Sequence, residues 1–415
     1  MASSLWWVAV AGLLIVSVVT PGGNGSLLFL DVMLALAGLA TWVWGRYALA
    51  GVGYSRLFGR SAAAETRLAF GEETDVWLEV VNAKPLPLAW LRIDDEFPTE
   101  MSVISGALPP TSQHRRRPIT HLLSVRWYER VRRHYRLRGD RRGVSVFGPA
   151  RLTSGDVFGI RTCARELDLV QRVIVHPKIV PLAELGLAHA RPFGDFKAPR
   201  RVQPDPLRLA GARPYAPGDN PRHIHWKATA RRAALQTKIF DPGAAPHLVM
   251  LLNAQTTEFL YEGIIPEYLE KSAVAAASVA SAAQEARIPI GLATNGVILD
   301  HPGRVRLPAS RHSAHLTHLL DTLSRLTYFI LMPFQDLIRL EASSLPYGAN
   351  VVAISPVVSD PILSSLLGLC AAGHPTTLLT VGDGPYQASP PEIPTHELRI
   401  EIQELRSATV ETNVF

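Results

Sequence analysis

Two apolar runs dominate the first 45 residues of the chain, and the only charge inside them is Asp31. They cover residues 2–20 and 27–44, and a short segment rich in proline and glycine separates them. A helix as long as the second run rises about 27 Å, which is close to the ~30 Å hydrocarbon core of a bilayer. The sequence therefore predicts a two-helix transmembrane hairpin, with one span at each run.

Arginines on one side of these runs predict the orientation of the hairpin. The segment between the runs has no lysine or arginine, whereas four arginines follow the second run: Arg46, Arg56, Arg60 and Arg67. By the positive-inside rule, residues 46–415 are expected on the cytoplasmic side of a bacterial inner (plasma) membrane. The alternative is a cleaved signal peptide. It is disfavoured because no basic residue precedes the first run and a second run follows at once.

The middle of the chain, residues 65–181, changes to short alternating runs. Residues 75–81 and 88–94 alternate apolar and polar side chains, as strands with one buried face do. No long helical period interrupts them, so we expect a small β-sandwich-like domain. Residues 46–64 and 182–204 are interpreted as the linkers on its two sides.

An arginine-rich segment lies inside this domain. Residues 115–142 hold eleven arginines, and the even positions of 130–138 are basic throughout: Arg130, Arg132, His134, Arg136 and Arg138. With a period of two, these side chains project from one face of a strand. The face is open to four interpretations: a solvated surface, a contact with anionic lipid headgroups, a nucleic-acid interface, or a contact with an acidic protein. The nucleic-acid interpretation is disfavoured, because no aromatic platform, zinc finger or helix-turn-helix pattern accompanies the charge.

In residues 205–415, apolar runs alternate with helical patterns. The run at 247–252 is almost continuously apolar, which is typical of a strand buried on both faces of a parallel sheet. Similar runs at 289–294, 351–354 and 376–381 predict a doubly wound α/β sheet. Because the common phosphate-binding, hydrolase and metalloprotease motifs are absent from the sequence, we expect no catalytic residue and no cofactor.

The most specific motif covers residues 211–232. It resembles the signature of the DUF58 family, a domain of unknown function, roughly R-x-Y-x-x-G-D-x-x-R-x-I-x-W-K-x-[ST]-A-R. The positions that we take as candidate partner-binding residues all match it: Arg213, Tyr215, Gly218, Asp219, Arg222, Trp226, Lys227 and Arg231.

This resemblance implies both a fold and a role. Members of the family are regarded as carrying a von Willebrand factor A-like domain beside a β-rich one, and are commonly encoded next to MoxR-type AAA+ ATPases. The implied function is a membrane-anchored, non-enzymatic adaptor or chaperone-type assembly factor that works with such an ATPase. The implied fold class is an α/β von Willebrand A-like doubly wound sheet, preceded by the sandwich-like domain and the transmembrane hairpin.

The residues of the motif themselves leave three roles open: a structural clamp, a docking surface or catalysis. Asn220 before Pro221 predicts a helix cap, and hence a helix over residues 221–234. We expect a mixed role, in which Trp226 and Asp219 support the fold and two basic residues of the motif contact the partner: Arg222 and Lys227.

The resemblance also directs attention to the loop after the first strand of the α/β domain. Von Willebrand A domains often bind Mg²⁺ there through D-x-S-x-S, and the equivalent positions here are Asn253, Gln255 and Thr257. The later loop carries Asn295 rather than a carboxylate. A hard dication requires charged oxygen ligands, so we expect a degenerate site that binds no metal.

Overall fold

The computed structural model describes residues 25–59, 61–105, 116–157, 161–187, 209–240, 247–301, 303–346, 348–382 and 390–400. The chain divides into two compact units between His176 and Pro177. The first unit is rich in β-strands, and the second contains the family motif and the predicted α/β sheet.

The first unit has one described helix, α1 (Gly25–Tyr47), followed by strands. The strands are β1 (Val52–Phe58), β2 (Glu65–Leu68), β3 (Glu73–Asn82), β4 (Leu88–Pro98), β5 (Ser102–Ser105), β6 (Arg116–Val125), β7 (Arg130–Arg138), β8 (Gly143–Phe147), β9 (Ala150–Gly155), β10 (Thr162–Leu167) and β11 (Gln171–Val175). They form three sheets, with strand orders β1-β3-β7-β5, β10-β9-β4-β6 and β2-β11-β8.

Alternating burial builds the core of this unit. In β3, Val76, Leu78 and Val80 are buried and the residues between them are partly exposed. Leu91 and Ile93 of β4 follow the same period of two. The strands predicted at 75–81 and 88–94 are thus confirmed, because alternation places one set of side chains in the core.

The end of α1 is attached to this unit. The Lys84 Nζ atom donates to the carbonyl oxygens of Tyr47 at 2.9 Å and Ala50 at 2.8 Å, and also to that of Ala48. A cation close to the last carbonyl oxygens of a helix is favourable. Desolvation by burial lowers the pKa of Lys84 to about 8.

The predicted transmembrane hairpin is not supported. Its first span, residues 2–20, lies outside the described residues. Helix α1 covers the second span, yet within the described parts of the chain no helix has both the length and the apolarity that crossing a membrane requires. At its C-terminal end, Trp44 packs against a buried protein cluster that includes Leu49. Counting apolar residues could not reveal this contact, because the count treats each side chain as available to lipid.

The second unit begins with a helical turn (Ala183–Leu187), whose Leu185 and Leu187 are buried, and contains a small hairpin and a larger sheet. Its helices are α2 (Trp226–Arg232), α3 (Pro266–Glu285), α4 (Ser313–Ser324), α5 (Phe334–Ala342) and α6 (Asp360–Ala371). Its strands are β12 (Leu209–Pro214), β13 (Gln236–Phe240), β14 (Leu248–Leu252), β15 (Ile290–Thr294), β16 (Gly296–Ile298), β17 (Val305–Ser310), β18 (Leu326–Ile330), β19 (Asn350–Ser355), β20 (Thr376–Thr380) and β21 (Thr395–Glu397).

Six of these strands form one sheet in the order β17-β15-β14-β19-β20-β21. All neighbours are parallel except β17, which is antiparallel to β15. Every residue of β14 is buried: Met250 and Leu252 join a cluster with the alanine-rich α3, whereas Val249 and Leu251 join one with α5 and α6. The four apolar strands predicted in this part of the chain are confirmed at β14, β15, β19 and β20.

The fold class predicted for the chain as a whole is nevertheless wrong. The described chain is mostly β-sheet and is arranged as several small sheets, and the transmembrane hairpin is not supported. An α/β description accounts for only one of those sheets. The short strands β12, β16 and β18 were not predicted from the sequence.

Candidate functional site

The family motif folds as a hairpin of residues 209–240, called here the motif hairpin. Strands β12 and β13 pair antiparallel, with Arg213 opposite Thr237. Between them lie a turn, a short 3-10 helix (Pro221–His223) and helix α2. The other two-stranded sheet of this unit pairs β16 with β18 and is not part of the motif hairpin.

Asp219 holds the turn of the motif hairpin. Its Oδ1 atom accepts from Arg213 Nη2 at 2.5 Å, and its Oδ2 atom accepts from Ala216 N at 3.0 Å and Thr237 Oγ1 at 3.1 Å. The Arg213 bond, followed by that of Ala216, lowers the pKa of Asp219 to about 2. Gly218 has a φ of 106°, a conformation that favours glycine.

The helix predicted over 221–234 is broken. The predicted cap is confirmed, since Asn220 Oδ1 accepts from Arg222 N at 3.1 Å. Ile224, however, is extended and forms a β-bridge with Thr237 of β13. Helix α2 therefore starts anew after His225, whose Nδ1 atom accepts from Ala228 N at 3.2 Å. Sequence spacing could not reveal the bridge, because its two partners are far apart in the chain.

The outer face of the motif hairpin is exposed and basic. Trp226 is 68% exposed, and no residue of α2 is buried. This differs from the expectation that Trp226 supports the fold. Arg222, Lys227 and Arg231 are also exposed. Residues 209–240 contain six lysines and arginines and one acidic residue, Asp219, so their net charge is +5 with histidines neutral.

Tyr215 and Thr229 complete the internal contacts of the motif. The Tyr215 hydroxyl donates to the Asp219 carbonyl oxygen at 3.3 Å, and Thr229 Oγ1 accepts from Gln236 N at 3.0 Å. The structure thus separates the motif into residues that hold the hairpin together and residues that face outward. Trp226 belongs to the second group.

We expect Asp219→Asn to loosen the hairpin in a pH-dependent way. The pKa of Asp219 is lowered in the folded chain, so its contribution to stability is complete above its usual pKa of 3.8 and is lost as the pH falls toward about 2. The difference in melting temperature between wild type and Asp219→Asn should be constant from neutral pH to about pH 4 and should shrink below it. A difference that grows on acidification would contradict this role; Asp94→Asn serves as the control.

Amide side chains occupy the strand ends where a degenerate metal site was predicted. Asn253 is fully buried, and its Oδ1 atom accepts from Gln255 N at 2.9 Å and from Asn295 Nδ2 at 3.0 Å. Its Nδ2 atom donates to Ser355 Oγ at 2.9 Å. Asn295 Oδ1 accepts from Ala254 N at 2.8 Å. These amides bond to one another and to the backbone, an arrangement that needs no cation.

The other two positions of the predicted degenerate metal site, Gln255 and Thr257, stabilise the loop that follows β14. Gln255 Nε2 donates to the carbonyl oxygens of Thr257 and Glu258, both at 3.0 Å, and Thr257 Oγ1 donates to that of Gly263 at 2.8 Å. Across the described residues, His, Cys, Asp and Glu side chains form no group of three or more that could hold a metal ion. At these strand ends the described side chains that meet are neutral amides and a hydroxyl.

The arginine-rich strand β7 alternates as predicted, with Tyr135 and Leu137 buried and the even-numbered side chains facing outward. Acids of the neighbouring strand β3 offset its charge. Glu79 lies 2.6 Å from Arg132 and 3.4 Å from Arg130, and Asp75 contacts two more basic side chains: His134 at 2.7 Å and Arg136 at 3.4 Å. The His134 hydrogen bond, then that of Arg136, lowers the pKa of Asp75. These ion pairs reduce the positive field that lipid or nucleic acid would meet.

Sequence reasoning missed two exposed aromatic residues beside the amide-lined strand ends. Phe259 and Tyr261 are 49% and 83% exposed. In the sequence these two aromatic residues follow directly after the positions compared with a metal site, Asn253, Gln255 and Thr257. Only metal ligands were considered at that place, so the aromatic residues were not predicted to be functional.

Two solved structures show only a weak likeness to the chain. A β-glucosidase from Listeria innocua matches 30% of this chain and 16% of its own at 10% identity, with a TM-score of 0.18. A non-cellulosomal cohesin from the archaeon Archaeoglobus fulgidus matches 33% of this chain and 98% of its own at 10% identity, with a TM-score of 0.19. Scores this low do not establish a shared fold.

Sequence comparisons are more specific. The chain is similar to the uncharacterized protein YeaD of Bacillus subtilis (strain 168), at 25% identity over 200 residues. The match covers 48% of each chain, so this chain spans about half the length of the curated relative. Residues 211–368, which include most of the motif hairpin and the strands from β14 to β19, match the family described as "Protein of unknown function DUF58".

Proposed function

We propose that this chain is a non-enzymatic adaptor that binds a MoxR-type AAA+ ATPase through the motif hairpin. The observation that carries the proposal is Trp226, a large aromatic side chain that is 68% exposed in the middle of the family motif. Tryptophan and arginine are the residue types that most often dominate the binding energy of protein interfaces. Trp226 is flanked by exposed Lys227 and Arg222.

The internal bonds of the hairpin support this assignment. Asp219, His225 and Thr229 hold the turn, the start of α2 and the start of β13. Trp226 is not needed for any of these contacts. Its exposed ring is therefore available for burial against a partner, as aromatic side chains at interfaces are.

Charge defines the kind of surface that the hairpin fits. With a net charge of +5 over residues 209–240, the hairpin favours an acidic partner surface. A MoxR-type ATPase is proposed as this partner because the motif resembles the DUF58 family, whose members are commonly encoded beside such enzymes. The self-bonded amides around Asn253 are consistent with binding that requires no metal ion.

Capture of the ATPase by single variants tests the proposal. We expect Trp226→Ala to reduce co-purification of the MoxR-type ATPase from the same genome at least tenfold, which corresponds to about 1.4 kcal/mol of binding free energy. Lys227→Ala should weaken it less. Because these side chains are exposed, the free energy of unfolding should change by no more than about 0.5 kcal/mol.

The matched control is Trp127→Ala, which removes another tryptophan of similar exposure, 64%, from the first unit. It should leave capture unchanged. Full capture by a folded Trp226→Ala chain would overturn the proposed docking role.

A further inference from the structure

A second exposed surface lies at the carboxyl end of β14, on residues 257–265, called here the aromatic loop. The rings of Phe259 and Tyr261 stack with centroids 5.4 Å apart and an angle of 13° between their planes. Tyr261 is 83% exposed. No contact of the adaptor site described above uses this loop.

The backbone of the aromatic loop is held in place. Thr257 Oγ1 lies 3.0 Å from the carbonyl oxygen of Phe259 and 2.8 Å from that of Gly263, and donates its single proton to one of them at a time. Gln255 Nε2 donates to the carbonyl oxygens of Thr257 and Glu258. A loop fixed in this way presents its rings at a small entropic cost on binding.

The loop and the start of α3 are acidic. Residues 258–270 contain no lysine, arginine or histidine, and they contain four glutamates: Glu258, Glu262, Glu267 and Glu270. Glu267 pairs with Lys271 at 3.0 Å, whereas Glu258 and Glu262 are exposed on the aromatic loop itself. The surface therefore combines stacked aromatic rings with negative charge.

The motif hairpin has the complementary properties, since it is basic and exposes Trp226. Within one copy the two surfaces do not cover each other, because Trp226 and Tyr261 are both mostly exposed. We infer that the aromatic loop of one copy of this chain binds the motif hairpin of a second copy. Opposite charges steer such an encounter, and cationic side chains pack favourably on aromatic rings.

The contact joins two different surfaces, so association is head-to-tail and each bound pair retains one free loop and one free hairpin. Such heterologous contacts produce rings or open chains. The inference goes beyond the proposed adaptor role, because it gives the same hairpin a second partner. An ATPase bound to the hairpin would compete with this self-association.

Charge reversal in the full chain tests the inference without any ATPase, so that it and the adaptor proposal can fail separately. Sedimentation velocity is measured in a non-ionic detergent that covers the exposed apolar side chains of α1. We expect the wild type to self-associate at about 0.05 M salt and to dissociate at about 0.5 M. Lys227→Glu/Arg231→Glu and Glu258→Lys/Glu262→Lys should each raise the dissociation constant at least tenfold. Mixed together, these two variants should associate, because each supplies a surface that complements the other.

The matched control is Glu285→Lys/Glu392→Lys, which makes the same charge change at two exposed glutamates outside the loop and should associate as the wild type does. Wild-type chains that remain monomeric up to about 0.1 mM at low salt would overturn the inference. So would charge-reversed variants that associate normally by themselves, or a mixture that fails to associate.

Discussion

Replacing Arg56 by methionine should lower the free energy of unfolding of the first unit by about 3–5 kcal/mol, the range for removing one partner of a buried ion pair. Arg56 is buried and donates from Nε to Asp95 Oδ2 at 3.1 Å, with a second bond from Nη2 to Oδ1. Its Nη1 atom donates to Gln171 Oε1 at 3.3 Å. The guanidinium also lies 5.8 Å and 5.6 Å from the ring centroids of Phe97 and Phe147.

The loss is large because the variant leaves Asp95 buried without its guanidinium partner. Among the described residues, the Tyr54 hydroxyl, at 2.6 Å, and the Glu96 backbone amide still donate to it. Urea unfolding of the full chain measures the effect. Arg92→Met is the control: it removes an exposed arginine paired with Asp94 at 3.0 Å and should cost no more than about 1 kcal/mol. A loss below about 1 kcal/mol for Arg56→Met would show that the buried pair does not hold this unit together.

Restoring a carboxylate with Asn253→Asp should also destabilise the chain strongly, by about 3 kcal/mol or more at neutral pH, because an unpaired buried charge keeps most of its desolvation penalty. Asn253 is fully buried, and its Nδ2 atom donates to Ser355 Oγ. That hydroxyl already donates to the Val357 carbonyl at 2.5 Å. The new carboxylate oxygen would therefore face a hydroxyl whose proton is already engaged.

Burial should raise the pKa of the introduced acid, so the destabilisation should be present above that raised pKa and should vanish as the pH falls below about 4. Millimolar Mg²⁺ should not recover the lost stability, since the described residues contain no group of three or more His, Cys, Asp and Glu side chains that could hold a metal ion. The control Asn220→Asp makes the same change at an exposed cap and should alter stability by no more than about 0.5 kcal/mol. Recovery of Asn253→Asp by Mg²⁺ would contradict the description of these strand ends as a self-contained amide network.

Burial on both faces explains why the central strands of the second unit were predicted correctly. A strand such as β14 is covered by helices on both sides, so its sequence is apolar throughout and the pattern is strong. β18 is different, because Tyr328 and Phe329 are 47% and 71% exposed and leave no alternating pattern.

Tertiary contacts account for the errors in the motif. The Asn220 cap is local and was predicted, whereas the bridge between Ile224 and Thr237 is not local and divided the expected helix. The sequence identifies Trp226 as a member of the motif but not its exposure, because exposure depends on what packs against a helix. The same limit applies to α1, whose end packs through Trp44 on a protein core.

Hydrogen–deuterium exchange of the full chain, with and without the MoxR-type ATPase, tests the docking role of the motif hairpin most directly. The ATPase is expected to slow exchange in residues 220–233, around Trp226, and to leave strand β7 at 130–138 unchanged. Because the contact depends on Trp226, the protection should disappear in Trp226→Ala while the exchange of β14 stays the same. Protection that falls on β7 or elsewhere, with residues 220–233 unaffected by bound ATPase, would contradict the assignment of the hairpin as the docking surface.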